Sequence, residues 1–207
     1  MILAVDTSLG TAVALVERTG AVRAEASTPG ATGHAEVIGE LLAQVLASAG
    51  ADPITNVATG MGPGPFTGLR IGIAAARAAA LARGAEIIPV PSHCAPALLA
   101  AESPATRGRF AVVTDARRRE SAVTVFEGLD DDGLPRVVTP AQLVPQAEVS
   151  THLAGTPLIE VAELSAGALG RVAARALAAG RTLTGPEPLY LRAPDAQLPA
   201  PPKRVSA

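Results

Sequence analysis

The chain has 207 residues, 48% of them hydrophobic but only 2% aromatic, and a formal net charge of −2. That length fits one large domain or two small ones, with a core of Val, Leu, Ile and Ala rather than aromatic rings. The charge and the shortage of stacking rings argue against a direct reader of nucleic acid. A single cysteine, Cys94, excludes an intrachain disulfide and a multi-cysteine zinc site. It reads as a small buried hydrophobe. Met1–Asp6 lacks the basic start of a signal peptide, and the apolar run 71–82 is interrupted by Arg77 and too short to span a bilayer. The expectation is a soluble, cytoplasmic protein.

In chain order, Ile2–Val5 is a continuous apolar run that reads as a buried central strand ending at Asp6. Thr11–Val16 and Val22–Ala26 read as further strands about a turn at Glu17–Gly20. His34–Ala49 is predicted as a helix, because Val37, Ile38, Leu41, Leu42, Val45 and Leu46 share one stripe and Gly50 is a natural stop. Val57–Gly60 is a short strand, Gly68–Arg83 a helix, Glu86–Val90 a strand, and Ser92–Ala101 a short helix. The stretch 103–108 reads as a linker. Beyond it the opening pattern recurs: Phe110–Thr114 ends at Asp115, followed by strands at Ser121–Phe126 and Arg136–Thr139 and a helix at Gly167–Ala179. Asp6 and Asp115 lie 109 positions apart. This duplication predicts two similar α/β halves facing a cleft: an N-terminal lobe of 1–102, a C-terminal lobe of 103–192, and a flexible tail of 193–207.

The most distinctive stretch is Gly62–Gly72, Gly-Pro-Gly-Pro-Phe-Thr-Gly-Leu-Arg-Ile-Gly. It is not a Walker loop, since Gly68 is followed by Leu69 and Arg70 instead of Lys and a hydroxyl residue. It is not a dinucleotide fingerprint either, because its third glycine comes one residue late. Pro63 and Pro65 remove two of the N–H donors that an anion would need. The helix beyond it carries small residues at Gly68, Gly72, Ala75, Ala76 and Ala79. Such a face packs against its own sheet or admits a helix from outside. Ile71, Ile73 and Ala74 can serve the sheet, so the small residues predict an external partner, with the 37–46 stripe as a second helix at the same interface.

Two duplicated halves, each with an aspartate at its first strand tip, describe the ATPase architecture of actin, hexokinase and Hsp70 (ASKHA). The loop Asp6-Thr7-Ser8-Leu9-Gly10-Thr11 could face an anion or a hydrated cation. The second loop, Asp115-Ala116-Arg117-Arg118-Arg119-Glu120, has no glycine where phosphate would approach the backbone. Both aspartates can equally cap strand-tip turns. His34, His93 and His152 offer no pair one helical turn apart, so no preorganised metal site is read. His34, opening a helix, reads as a surface or capping residue. No nucleophile–base constellation can be argued from spacing.

Asp6-Thr7-Ser8, His34-Ala35-Glu36, the Gly62–Gly72 motif, Asp115-Ala116-Arg117 and Pro188-Leu-Tyr-Leu-Arg192 resemble, in this order, the TsaB (YeaZ) family of the bacterial tRNA threonylcarbamoyladenosine machinery. The motif departs from the family at Pro65, where serine is usual. The resemblance covers nearly the whole chain and implies a two-lobed ASKHA fold of the actin/hexokinase, RNase H-like kind. It implies a non-catalytic scaffold subunit that pairs with the catalytic subunit TsaD through N-lobe helices, is joined by TsaE, reaches tRNA only through the complex, and forms a homodimer when alone. The partner-facing candidates are His34, Ile38, Leu41, Leu42, Gly68, Arg70, Gly72, Ala75, Ala76 and Ala79. Asp6, Thr7, Ser8 and Asp115 would be vestigial nucleotide loops, with ATP and Mg bound only in the assembled complex and no membrane partner. An active ASKHA ATPase or phosphotransferase, and a glycoprotease-like peptidase, are the alternative readings.

Overall fold

The computed structural model describes residues 1–30, 33–104, 106 and 108–192; the tail expected at 193–207 lies outside the described residues. Five strands, β1 (Ile2–Asp6), β2 (Thr11–Val16), β3 (Val22–Thr28), β4 (Asn56–Gly60) and β5 (Glu86–Val90), form a sheet in the order β3-β2-β1-β4-β5. The first three run antiparallel, while β4 and β5 lie parallel to β1. The second half repeats this with β6 (Arg109–Asp115), β7 (Glu120–Leu129), β8 (Pro135–Pro145) and β9 (Leu158–Glu160), ordered β8-β7-β6-β9. Here β9 takes the place of β4, parallel to β6. The duplicated two-lobed ASKHA architecture is therefore present, with a shorter second sheet.

The helices are α1 (His34–Leu46), α2 (Phe66–Arg83), α3 (Cys94–Glu102), α4 (Val149–Leu153) and α5 (Ala166–Ala178). Strand alternation assigns the faces. On β1 and β2, Leu3, Val5, Val13 and Leu15 point to α1 and α2. Ile2, Ala4, Ala14 and Val16 point the other way, into a core shared with α3 and α5. The second sheet reaches this core through Phe110, Val112 and Phe126, with the two rings stacked 5.9 Å apart. Its opposite face, Ala111, Val113, Val123 and Val125, is covered by Val149 and Leu153 of α4.

The layers thus run α1/α2, first sheet, α3/α5, second sheet, α4. The boundary expected at 102–103 falls between α3 and β6, yet α5 belongs to the second segment and packs on the first sheet. It lies close because Gly170 has no side chain: a Cβ there would stand 2.5 Å from Val16 Cγ2. Ser165 caps α5 by accepting a hydrogen bond from the Ala168 N–H. Glu102 at the end of α3 accepts from both Arg171 and Arg175, one turn apart on α5. Burial raises the Glu102 carboxyl, but the hydrogen bonds and charge of those two guanidiniums outweigh it and hold it below the usual range.

Candidate functional site

At the tip of β1, Asp6, Thr7 and Ser8 are all buried. Asp6 accepts hydrogen bonds from the Ser8 N–H (2.7 Å), the Ser8 hydroxyl (2.6 Å) and the Ser92 hydroxyl (2.6 Å). The Thr7 hydroxyl donates to the Gly68 carbonyl at 2.7 Å. Burial pushes the Asp6 carboxyl up, against the Ser8 and Ser92 hydrogen bonds and the attraction of His34.

Four glycines spaced four apart close over this loop. A Cβ at Gly60 would stand 1.7 Å from Asp6 Oδ2; at Gly64, 2.7 Å from Ser8 Cβ; at Gly68, 2.7 Å from the Thr7 carbonyl; and at Gly72, 2.1 Å from Thr7 Oγ1. The end of β4, the following loop and the first two turns of α2 thus rest their bare backbone on Asp6-Thr7-Ser8. The glycine spacing is the imprint of that contact. Three of these side chains that could have faced a phosphate are instead engaged inside the lobe.

The structure therefore corrects the assignment of the small-residue face. Gly68, Gly72 and Ala76 are buried in the monomer against its own β1 tip and sheet. His34, Ile38 and Leu41 are buried as well, and His34 Nδ1 shares a 2.8 Å hydrogen bond with the Thr11 hydroxyl instead of capping a helix at the surface. Leu42, Ala75 and Ala79 are half-buried, and Arg70 is exposed. The exposed stripe of α2 is one step round from the expected one: Thr67, Arg70, Ala74, Ala78 and Leu81, the last 86% exposed.

Between the lobes lies a cleft of about 940 Å³. Leu9, His34 and the α2 start line one side, and Asp115, Arg117 and Arg118 the other. Asp115 is exposed and accepts from the Arg117 N–H at 3.0 Å and from Gln146 at 3.2 Å. Arg117, Arg118 and Arg119 all have left-handed backbones, with φ of 61°, 55° and 61°. Three such non-glycine residues in a row cost roughly 1–2 kcal/mol each. The segment 186–192 straps the cleft. The Leu189 N–H donates to the Met61 carbonyl (2.7 Å), Tyr190 packs 4.7 Å from the Phe66 ring, and Arg192 pairs with Glu120. Arg70 lies 4.1 Å over Phe66 and donates to the Tyr190 hydroxyl at 3.3 Å.

The model of a family described as "TsaD: tRNA N6-adenosine threonylcarbamoyltransferase" matches residues 28–163. The chain belongs to this family. An uncharacterized protein of Mycobacterium tuberculosis is 35% identical over 95% of the chain and 93% of its own length. Two Pseudomonas aeruginosa structures share the fold at 24% identity, each covering 92% of the chain and 99% of the other. One is YeaZ, with a TM-score of 0.72; the other is an uncharacterized protein with similarity to peptidase YeaZ, at 0.75. The fold of the YeaZ structures agrees with the resemblance to TsaB carried by the sequence motifs.

In this TsaD-family chain His93 and Cys94 are two further titratable groups of the interior. His93 is fully enclosed between the Thr124 hydroxyl (2.8 Å) and the Thr114 hydroxyl (3.0 Å), and burial pushes its pKa down to about 3. Its ring is neutral at pH 7. Burial pushes the Cys94 thiol up to about 12, which leaves it unreactive. Among the described residues, no three His, Cys, Asp or Glu side chains converge to hold a metal, and no helix is long and apolar enough to cross a membrane. The strap and the left-handed arginine turn escaped sequence reasoning. The only trace of the first was the Pro-Leu-Tyr-Leu-Arg motif; the second had none beyond the absence of glycine.

Proposed function

We propose that this chain serves tRNA threonylcarbamoyladenosine formation as a non-catalytic partner of the catalytic subunit TsaD. The observation that carries this reading is the closure of the β1-tip loop by Gly60, Gly64, Gly68 and Gly72. In an ASKHA enzyme that loop would be open to phosphate; here its carboxylate and hydroxyls are committed inside the lobe. Pairing runs through α1 and α2, using Thr67, Arg70, Ala74, Ala78 and Leu81 with Leu42, Ala75 and Ala79 at the flank. TsaE joins the pair, tRNA is held by the complex, and ATP with Mg binds only in the assembly. A second copy of the chain takes the same surface when TsaD is absent.

The direct test is co-purification with TsaD, TsaE and tRNA, added separately and together. Leu81→Glu and Ala74→Arg should leave the melting temperature nearly unchanged, since exposed substitutions shift stability by about 0.5 kcal/mol or less. Both should abolish capture of TsaD. Full retention of TsaD by the two variants discards the interface.

The size of the inter-lobe cleft and its arginine-rich rim favour one rival, an active ASKHA ATPase or phosphotransferase. Calorimetric titration of the isolated chain with ATP and Mg separates the two. Micromolar affinity with robust hydrolysis would establish the enzyme and end the scaffold reading.

A further inference from the structure

At the far end of the first sheet from the β1 tip, the turn between β2 and β3 meets the outer side of α5. Arg18, Thr19 and Gly20 of the turn, with Arg171, Ala174, Arg175 and Ala178 of α5, enclose a recess of about 230 Å³. Gly20 brings the turn down onto the helix: its φ is 92°, and a Cβ there would lie 4.0 Å from the Arg171 stem. Three arginines line this recess. The carboxylate among them is Glu102, which accepts from Arg171 at 2.8 Å and from Arg175 at 2.6 Å. One negative charge against three positive ones leaves the recess with an excess of two.

The two helix arginines are held in place. Their side chains are only 28% and 30% exposed, and Arg175 also donates to the Gly133 carbonyl. They bind Glu102 through their Nη2 atoms, leaving Nε–H donors on both and Nη1 on Arg171 for another acceptor. Arg18 is exposed and makes no hydrogen bond or ion pair among the described residues. Neighbouring acidic groups are occupied elsewhere: Glu17 by Arg23, and Asp130 and Asp132 by Arg181. No aromatic side chain lines the recess, and its volume lies below the roughly 300 Å³ at which small-molecule pockets begin. It can take a tetrahedral oxyanion but cannot stack or enclose a nucleobase.

We infer that this recess is a phosphate-binding site, formed by Arg18, Arg171 and Arg175, that recognises the phosphate group alone and reads no base. The inference stands apart from the pairing with TsaD, because the recess lies on α5 and the β2–β3 turn and not on α1 or α2. The phosphate can be free in solution or part of an RNA backbone.

The test uses the full chain with inorganic phosphate, at constant ionic strength with chloride as the control, followed by amide NMR. Saturable shifts at Thr19, Gly20 and 171–175 are expected, weakened about tenfold in both Arg18→Gln and Arg171→Gln. Arg18→Gln changes an exposed side chain and removes no hydrogen bond or ion pair among the described residues, so the fold should be retained. A parallel arm measures binding of tRNA against salt. If RNA supplies the phosphate, the slope of log K against log salt falls by about 0.7–0.9 in Arg18→Gln. Phosphate shifts with an unchanged RNA slope assign the site to free phosphate. Shifts that chloride reproduces, or phosphate and tRNA binding that neither variant alters, overturn the site.

Discussion

Replacing Gly60 by alanine destabilises the protein by about 3 kcal/mol or more, at the upper end of what overpacking costs. For a chain of this size that lowers the melting temperature by roughly 10 °C. The new methyl carbon would be placed 1.7 Å from Asp6 Oδ2 and 2.8 Å from the Ser92 hydroxyl. Neither can step aside cheaply, because Asp6 is fixed by Ser8 and Ser92 in a buried site. Gly72→Ala has the same sign, since Thr7 is anchored to the Gly68 carbonyl. Denaturant unfolding of Gly60→Ala, Asp6→Ala and the double variant decides the cause. The double variant should be clearly more stable than the summed single effects, because truncating Asp6 removes the carboxylate that the new methyl would strike, and the methyl occupies part of the space so vacated. Strict additivity would place the damage somewhere other than this contact.

Acid sensitivity is the second large effect. The unfolded His93 imidazole takes a proton near its ordinary value of 6.5, whereas the folded one does so only near about 3. Between these values the unfolded state holds more protons, so stability falls as pH falls, by about 1.4 kcal/mol per pH unit for one proton. The contribution is fully present above 6.5 and lost on the way down to about 3. Asp6 acts in the opposite direction. Its folded carboxyl is raised above 3.8, so its contribution is present below that value and lost as pH rises through the folded one. The wild type alone therefore reports a mixture. Subtracting the pH profile of His93→Gln isolates the imidazole, and the difference should grow steadily as pH drops below 6.5. A flat difference between pH 4 and 6.5 would mean that the ring titrates freely in the folded protein.

Much of the fold was legible because periodicity and punctuation agreed. The apolar runs at the start of each half gave β1 and β6 with their terminal aspartates, and Glu86–Val90 is β5 as expected. The second half was less readable. β9 has three residues and α4 five, too few to show a period. α2 starts two residues before Gly68, at Phe66, directly behind Pro65. The candidate site was half legible. Small residues at 68, 72 and 76 announced a close approach but not its object. That object is three residues near the N-terminus, some 60 positions away, and a spacing of four looks the same whether the partner is internal or external. Burial then divides the ten partner candidates: Arg70 faces outward, while Gly72 and Ala76 do not.

The placement of α5 carries a consequence for biosynthesis. When a ribosome has released only residues 1–163, the first sheet is complete in its strands and covered by α1 and α2, but α5 has yet to emerge to cover the other face. Ile2, Ala4, Ala14 and Val16 must wait for Leu169, Val172 and Ala173. A nascent chain halted there presents a sticky apolar surface to chaperones. Full protease resistance of the N-terminal half should therefore await the exit of α5, and truncation before Ala166 should leave this face of the first sheet without its α5 cover.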